Sequence, residues 1–148
     1  MRIDAARARG VEVYADQYPY EASGTGITGA LVPRWAQVGG NAELRRRLHG
    51  PERTRLQAEV AANIQRRGGA ASLVISRFRP DPSLEGKNLA EVAAAMEKSP
   101  DEAVLELLAR GDASLVSFNM NEADIEHIMR QSYTMTSTDG NGSEMRSP

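Results

Sequence analysis

The sequence predicts an α/β fold, and three observations carry that expectation. A short helical turn closed by glycine runs straight into a strand pattern, two more apolar runs of strand length lie between amphipathic helices, and the later helices each open on a legible cap. The composition agrees with a folded domain: 148 residues, 41% hydrophobic and 26% charged. A chain of this length buries roughly 70% of its unfolded surface and needs no cross-links to hold a core.

Taken in order, Ile3 to Arg9 sets Ile3 and Ala6 on one side of a helical turn that Gly10 stops. Val11, Val13 and Ala15 then alternate with Glu12, Tyr14 and Asp16, which is the period of a strand over 11–16. Pro19 removes a ladder donor, and 21–40, with five glycines and with Pro33 and Trp35 as anchors, reads as a long loop. From Asn41 to Arg67 the pattern is helical, broken at Gly50-Pro51, with Leu44 and Leu48 before the break and Leu56, Val60 and Ile64 after it. Gly68-Gly69 ends that stretch, and Leu73-Val74-Ile75 with Phe78 predicts a buried strand over 72–78. Asn88 with Glu91, and Ser99 with Glu102 and Pro100 at the first helical position, are capping boxes, while Asn121 with the shorter Asp124 is a weaker one. Leu115, Val116 and Phe118 predict a strand over 113–119, and Tyr133 to Ser137 another, followed by a polar tail.

Charge and residue usage exclude several function classes. Eighteen basic against 20 acidic residues leave a net charge of -2, with no global field to attract nucleic acid. Absence of cysteine removes disulfides, thiolate nucleophiles and cysteine-ligated zinc together. No stretch approaches the ~18 apolar residues that span a bilayer, and the first residues lack the apolar run of a secretory signal. A cytosolic protein without membrane or nucleic-acid partners is the expectation. The only two histidines, His49 and His127, lie far apart, so no local cluster supplies the three protein ligands of a catalytic zinc.

Individual motifs have ordinary readings beside the chemical ones. Gly24-Thr25-Gly26-Ile27-Thr28-Gly29 matches the dinucleotide fingerprint as a string, but that motif requires a strand turning directly into a helix, and a loop is the better reading here. The arginines from Arg45 to Arg67 are interleaved with Glu43, Glu52 and Glu59 and read as a solvated, ion-paired helix face. Asp16 and Asp139 stand at or just past strand ends. There a carboxylate can ligate a metal or act as a general base, or can simply stabilise a turn.

Together these segments resemble a known family. Ile3-Asp4-Ala5-Ala6-Arg7-Ala8-Arg9-Gly10, Val13, Asp16, Tyr18-Pro19-Tyr20, Ala22, Thr25, Pro33-Arg34-Trp35 and Gly39-Gly40 are similar to the later part of the N-acyl-D-amino-acid deacylases, or D-aminoacylases, of the amidohydrolase superfamily. So are Gly86-Lys87-Asn88-Leu89-Ala90-Glu91, Pro100-Asp101-Glu102-Ala103 with Leu107-Leu108, Met120-Asn121-Glu122-Ala123-Asp124 with Ile128-Met129, and Ser137-Thr138-Asp139-Gly140. The resemblance covers about residues 2 to 140, and the order of its motifs is more specific than any one of them.

The resemblance implies part of a metal-dependent (β/α)8 barrel: strand seven and its surroundings in 1–20, a mostly helical α+β insertion in 21–119, and the last barrel helix, strand eight and a shortened loop in 120–148. It implies hydrolysis of the amide of N-acyl-D-amino acids through a zinc-bound water. Asp139 corresponds to the family's metal-site carboxylate and proton shuttle. Tyr20 matches a substrate-contacting tyrosine, Ser23 and Thr25 fall where loop residues approach substrate, and Arg146 is the one candidate for gripping the substrate carboxylate. The family's His-X-His pair and other zinc ligands precede the matching region. The chain is therefore expected to be a C-terminal-side piece of a zinc deacylase, inactive alone and holding no zinc by itself, with self-association left open. The alternative is an independently folding lid or interaction module without catalysis.

Overall fold

Local sequence signals set most element ends. The computed structural model describes residues 2–139. In chain order the elements are α1 (Arg2–Arg7), β1 (Ala15–Gln17), β2 (Ala22–Gly26), α2 (Ile27–Leu31), α3 (Arg34–Gln37), α4 (Gly40–His49), α5 (Arg53–Arg66), β3 (Leu73–Arg77), α6 (Leu89–Ala95), α7 (Pro100–Arg110), β4 (Ser114–Phe118), α8 (Glu122–Met129) and β5 (Thr134–Thr136). The chain divides into two compact units: the described residues up to Glu21 together with those from Met120 onward, and Ala22–Asn119.

In the first unit, Gly10 stops α1 with φ +83°, and the amides of Gly10 and Val11 donate to the carbonyls of Arg7 and Ala6 at 2.9 and 3.2 Å. This double bond requires the left-handed conformation that glycine enters without a Cβ penalty. The strand after it is shorter than the alternation predicts, because a strand extends only as far as its partner does. Among the described residues β1 pairs only with β5, in parallel, Ala15 to Thr134, Asp16 to Met135 and Gln17 to Thr136, so Val11 to Tyr14 stay outside the ladder, with Val11 half exposed. Helix α8 packs on both strands. Its cap, Asn121 Oδ1, accepts from the amides of Ala123 at 2.8 Å and Asp124 at 3.4 Å. Arg7 lies over the rings of Tyr14 and the buried Tyr133, 5.7 and 5.6 Å from their centroids.

The second unit holds the main core. β2, β4 and β3 form an antiparallel sheet in that order. Leu73, Ile75, Leu115 and Ser117 on its inner face are buried among residues of the helices, including Ile27, Leu31, Leu56, Val60, Val104 and Leu107. The expected loop over 21–40 is here a strand and two short helices. Gly24 and Gly26 sit in register opposite Val116 and Ser114, so cross-strand pairing overrides the low strand preference of glycine.

Helix α2 has five residues, too few to be stable alone, and its neighbours satisfy both ends. The Thr28 amide donates to Asp112 Oδ1 at 3.1 Å, and the Ile27 amide to the Ala113 carbonyl at 2.7 Å. At the other end the carbonyls of Leu31, Ala30 and Val32 accept from Asn63 Nδ2 at 2.8 Å, Arg67 Nε at 3.2 Å and Gln37 Nε2 at 2.8 Å. Among the described residues, Asn63 is one of two buried polar residues, with Ser117. Asn63→Ala leaves the Leu31 carbonyl without that donor and is expected to cost about 1–3 kcal/mol in urea unfolding.

Three of the six arginines of α4 and α5, Arg46, Arg47 and Arg55, are ion-paired with glutamates among the described residues, as interleaving predicts. Arg46 reaches Glu43 at 2.8 Å and Glu52 at 2.9 Å, and Arg55 reaches Glu59 at 2.8 Å. The only tryptophan, Trp35, donates from Nε1 to Glu59 Oε2 at 3.0 Å, and Arg55 lies 4.4 Å from its ring centroid. The Trp35 N–H first, and Arg55 second, hold the Glu59 carboxyl below the ordinary glutamate value of 4.5. A carboxyl depressed in the folded state stabilises above its unfolded value and loses that contribution as pH falls through its folded one. The Tm gap between wild type and Glu59→Gln is therefore expected to be largest near pH 7 and to shrink below pH 4.5, with Trp35 emission following the same titration. A gap that stays constant across that range would contradict the assignment.

Helices α6 and α7 open on the predicted capping boxes. Asn88 and Glu91 bond reciprocally at 3.0 and 2.8 Å, and Ser99 and Glu102 at 3.4 and 3.1 Å, each filling two amides that the helix start leaves open.

Candidate functional site

Parallel pairing of β1 and β5 fixes one edge of the first unit. Both strands run the same way, so the residues that leave their C-terminal ends emerge at the same edge: Tyr18, Pro19 and Tyr20 after β1, and Ser137, Thr138 and Asp139 after β5. The Ser137 amide extends the ladder by donating to the Gln17 carbonyl at 3.0 Å. In parallel α/β architectures the open backbone and loops at this edge surround reactive groups.

Asp139 is exposed and has φ +45°, a left-handed conformation that few side chains adopt. Its amide donates to Ser137 Oγ at 3.4 Å, so the turn is held by the serine and not by the aspartate side chain. The Asp139 carboxylate has no hydrogen-bond or ion-pair partner among the described residues. Tyr20 is 48% exposed, and its ring stands 5.9 Å from that of Tyr18 at a tilt of 33°. An exposed carboxylate and an exposed phenol at one edge can exchange a proton with a substrate and donate to it.

The other sequence-derived candidates are placed differently. Ser23 and Thr25 are strand residues of β2, not loop residues, opposite Ser117 and Leu115 on the inner face of the second unit's sheet. Ser23 Oγ is 3.4 Å from Asn119 Oδ1. Asn119 lines a cavity of about 330 Å³ with Ala30, Asn63, Arg66 and Arg67, a cluster that no sequence motif announces. Arg67 also donates to the buried Ser117 hydroxyl at 3.3 Å, and Arg66 to Asn63. Arg146 lies outside the described residues. Asp16 is an exposed residue within β1, and His49 and His127 are exposed on α4 and α8.

The glycine-rich string has more of the fingerprint's context than its sequence suggests, since β2 runs directly into α2. The carboxylate of Asp112 already takes the Thr28 amide at the start of that helix, where a phosphate would have to lie. The strand is also antiparallel to its neighbour, and the dinucleotide motif belongs to parallel sheets.

No three His, Cys, Asp or Glu residues among those described are grouped to hold a metal ion. A catalytic zinc takes three protein ligands, and no such group forms around Asp139 among the described residues. Nor is any helix among the described residues long and apolar enough to cross a membrane.

Comparison with solved structures shows what the chain is similar to. N-acyl-D-glutamate deacylase from Bordetella bronchiseptica, solved with zinc and a phosphonate mimic of the tetrahedral intermediate, superposes with a TM-score of 0.58 at 26% identity over 94% of this chain and 21% of that one. The chain matches a segment of a D-aminoacylase. A crystal structure of D-aminoacylase, described as defining a novel subset of amidohydrolases, gives a TM-score of 0.56 at 27% identity, again over 94% of this chain and 21% of that one. A D-aminoacylase structure concerned with a binuclear metal centre gives the same values. The chain thus spans about a fifth of the length of the D-aminoacylases it matches. No family model and no curated protein matches it. The resemblance of the sequence to the D-aminoacylases holds in three dimensions, and the structural counterparts of the chain are hydrolases of the amidohydrolase kind.

Proposed function

We propose that the chain is the segment of a zinc-dependent N-acyl-D-amino-acid deacylase that carries barrel strands seven and eight, with β1 and β5 as those strands and 21–119 as the insertion between them. The observation that carries this reading is the edge of the parallel pair, where an aspartate whose carboxylate has no partner among the described residues and an exposed tyrosine emerge at one edge, in a segment matching D-aminoacylases over 94% of its length. Asp139 accepts a proton from the attacking water and delivers it to the nitrogen of the leaving amine, so that C–N cleavage releases a neutral amine. Tyr20 donates from its phenol to the bound N-acyl-D-amino acid. Ser23, Thr25 and Arg146 are further candidates for substrate contact, and Asp139 for a place among the metal ligands. The described residues do not fit zinc by themselves, so the reading makes the isolated chain inactive.

A second reading rests on the separate core of Ala22–Asn119: the chain folds as a non-catalytic lid or interaction module. Cooperative melting of that unit, independent of any other protein, is the result it requires.

The test replaces the matching segment of the Bordetella deacylase with this chain and assays N-acetyl-D-glutamate hydrolysis by the folded, zinc-loaded chimera and by the chain alone. Turnover by the chimera with none by the chain is expected. Turnover by the chain alone would overturn the reading that it is a segment of the catalytic machinery.

A further inference from the structure

Strand β3 carries a slip in its pairing with β4. Leu73, Val74 and Ile75 face Ser117, Val116 and Leu115 in regular register, after which Arg77, not Ser76, faces Ser114. The added residue reverses the inside-outside alternation of the strand. Leu73 and Ile75 are buried, and the same alternation would bring Arg77 inward. With the slip, Phe78 is buried and Arg77 is exposed.

The bulge therefore sets Arg77 on the surface near Arg79. Together with Pro80, Gly111, Asp112 and Ser114 these two arginines line an open cavity of about 390 Å³. A Cβ at Gly111 would stand 3.2 Å from Pro80 Cγ, so a larger residue there would press on the cavity wall.

The charges of this cavity are unbalanced. Neither Arg77 nor Arg79 has a side-chain hydrogen bond or ion pair among the described residues. The acids that could neutralise them are engaged elsewhere. Asp81 accepts from Ser83 Oγ at 2.6 Å and pairs with Arg110 at 3.4 Å, and Asp112 Oδ1 accepts from the Thr28 amide. The lining thus carries two guanidinium groups and one carboxylate, of which one oxygen accepts from the Thr28 amide, and the neighbouring Glu85 carboxylate accepts from the Phe78 amide at 2.9 Å. Guanidinium forks match the paired oxygens of carboxylate and phosphate groups.

We propose that Arg77 and Arg79 form a binding site for the oxyanion of a small ligand, a phosphate or a carboxylate group, with the Ser114 hydroxyl as a further donor. The site is built by the second unit alone and is independent of the role given to Asp139.

The test is a titration of the full chain with inorganic phosphate, and separately with acetate, at constant ionic strength so that general screening is removed. Saturable shifts in the amide resonances of Arg77, Arg79, Gly111 and Ser114 are expected. The Arg77→Gln, Arg79→Gln double variant is expected to weaken binding about tenfold or more. Tighter binding of phosphate assigns a phosphorylated ligand, and tighter binding of acetate a carboxylate. If neither ion gives saturable shifts, or if the double variant binds as well as wild type, the proposal fails. Should the double variant not fold, Arg79→Gln alone, outside the ladder, gives the same reading.

Discussion

Asp139→Asn in the chimeric deacylase is expected to lower kcat by about 10²- to 10⁴-fold, the range that a positioned proton-transfer group supplies. Asparagine suits this test because it tolerates the left-handed backbone that Asp139 adopts at φ +45°. The substitution therefore removes the proton acceptor and leaves the turn intact. Alanine would change both and could not separate them. The Ser137 hydroxyl that accepts the amide of residue 139 is untouched. A loss in kcat with KM little changed marks a group acting in the transition state. Activity within twofold of wild type would remove Asp139 from the mechanism.

Phe78→Ala is expected to destabilise the second unit by about 3–5 kcal/mol in urea unfolding, the cost of deleting a buried aromatic ring and leaving a cavity. Phe78 is fully buried, with the Arg110 guanidinium 5.3 Å from its ring centroid. Arg110 also pairs with Asp81, so the ring supports the turn that follows β3 as well as the core. Val38→Ala is the control: Val38 is 66% exposed and its truncation is expected to change stability by about 0.5 kcal/mol or less. A comparable loss for the two substitutions would contradict the core described for Ala22–Asn119.

What could be read from the sequence depended on whether its cause was local. The stop at Gly10 and the caps at Asn88 and Ser99 are set by residues within a few positions of one another, and all three are found where the sequence places them. The stretch over 21–40 was not legible as a strand and two helices. Its order comes from β4, almost a hundred residues onward, and from Asp112, Asn63 and Arg67, which close the ends of α2 from other elements. In the same way the alternation over 11–16 is a valid strand pattern, yet the paired length was set by β5. The slip in β3 did leave a trace, since the apolar positions Leu73 and Ile75 are followed by Phe78 and not by an apolar residue at 77. Asp139 and Tyr20 were singled out through the resemblance, and the structure places them after β5 and β1. The cavities of Arg77 and Arg79, and of Asn119 with Arg66 and Arg67, assemble from distant segments that share no motif.

The most direct measurement is turnover of the two enantiomers of N-acetylglutamate by the zinc-loaded chimera. Hydrolysis of the D enantiomer, with little of the L enantiomer, is the predicted result and would show that Tyr20, Asp139 and their strands supply a working part of a D-aminoacylase site. A chimera that melts cooperatively and binds zinc but hydrolyses neither enantiomer would contradict it.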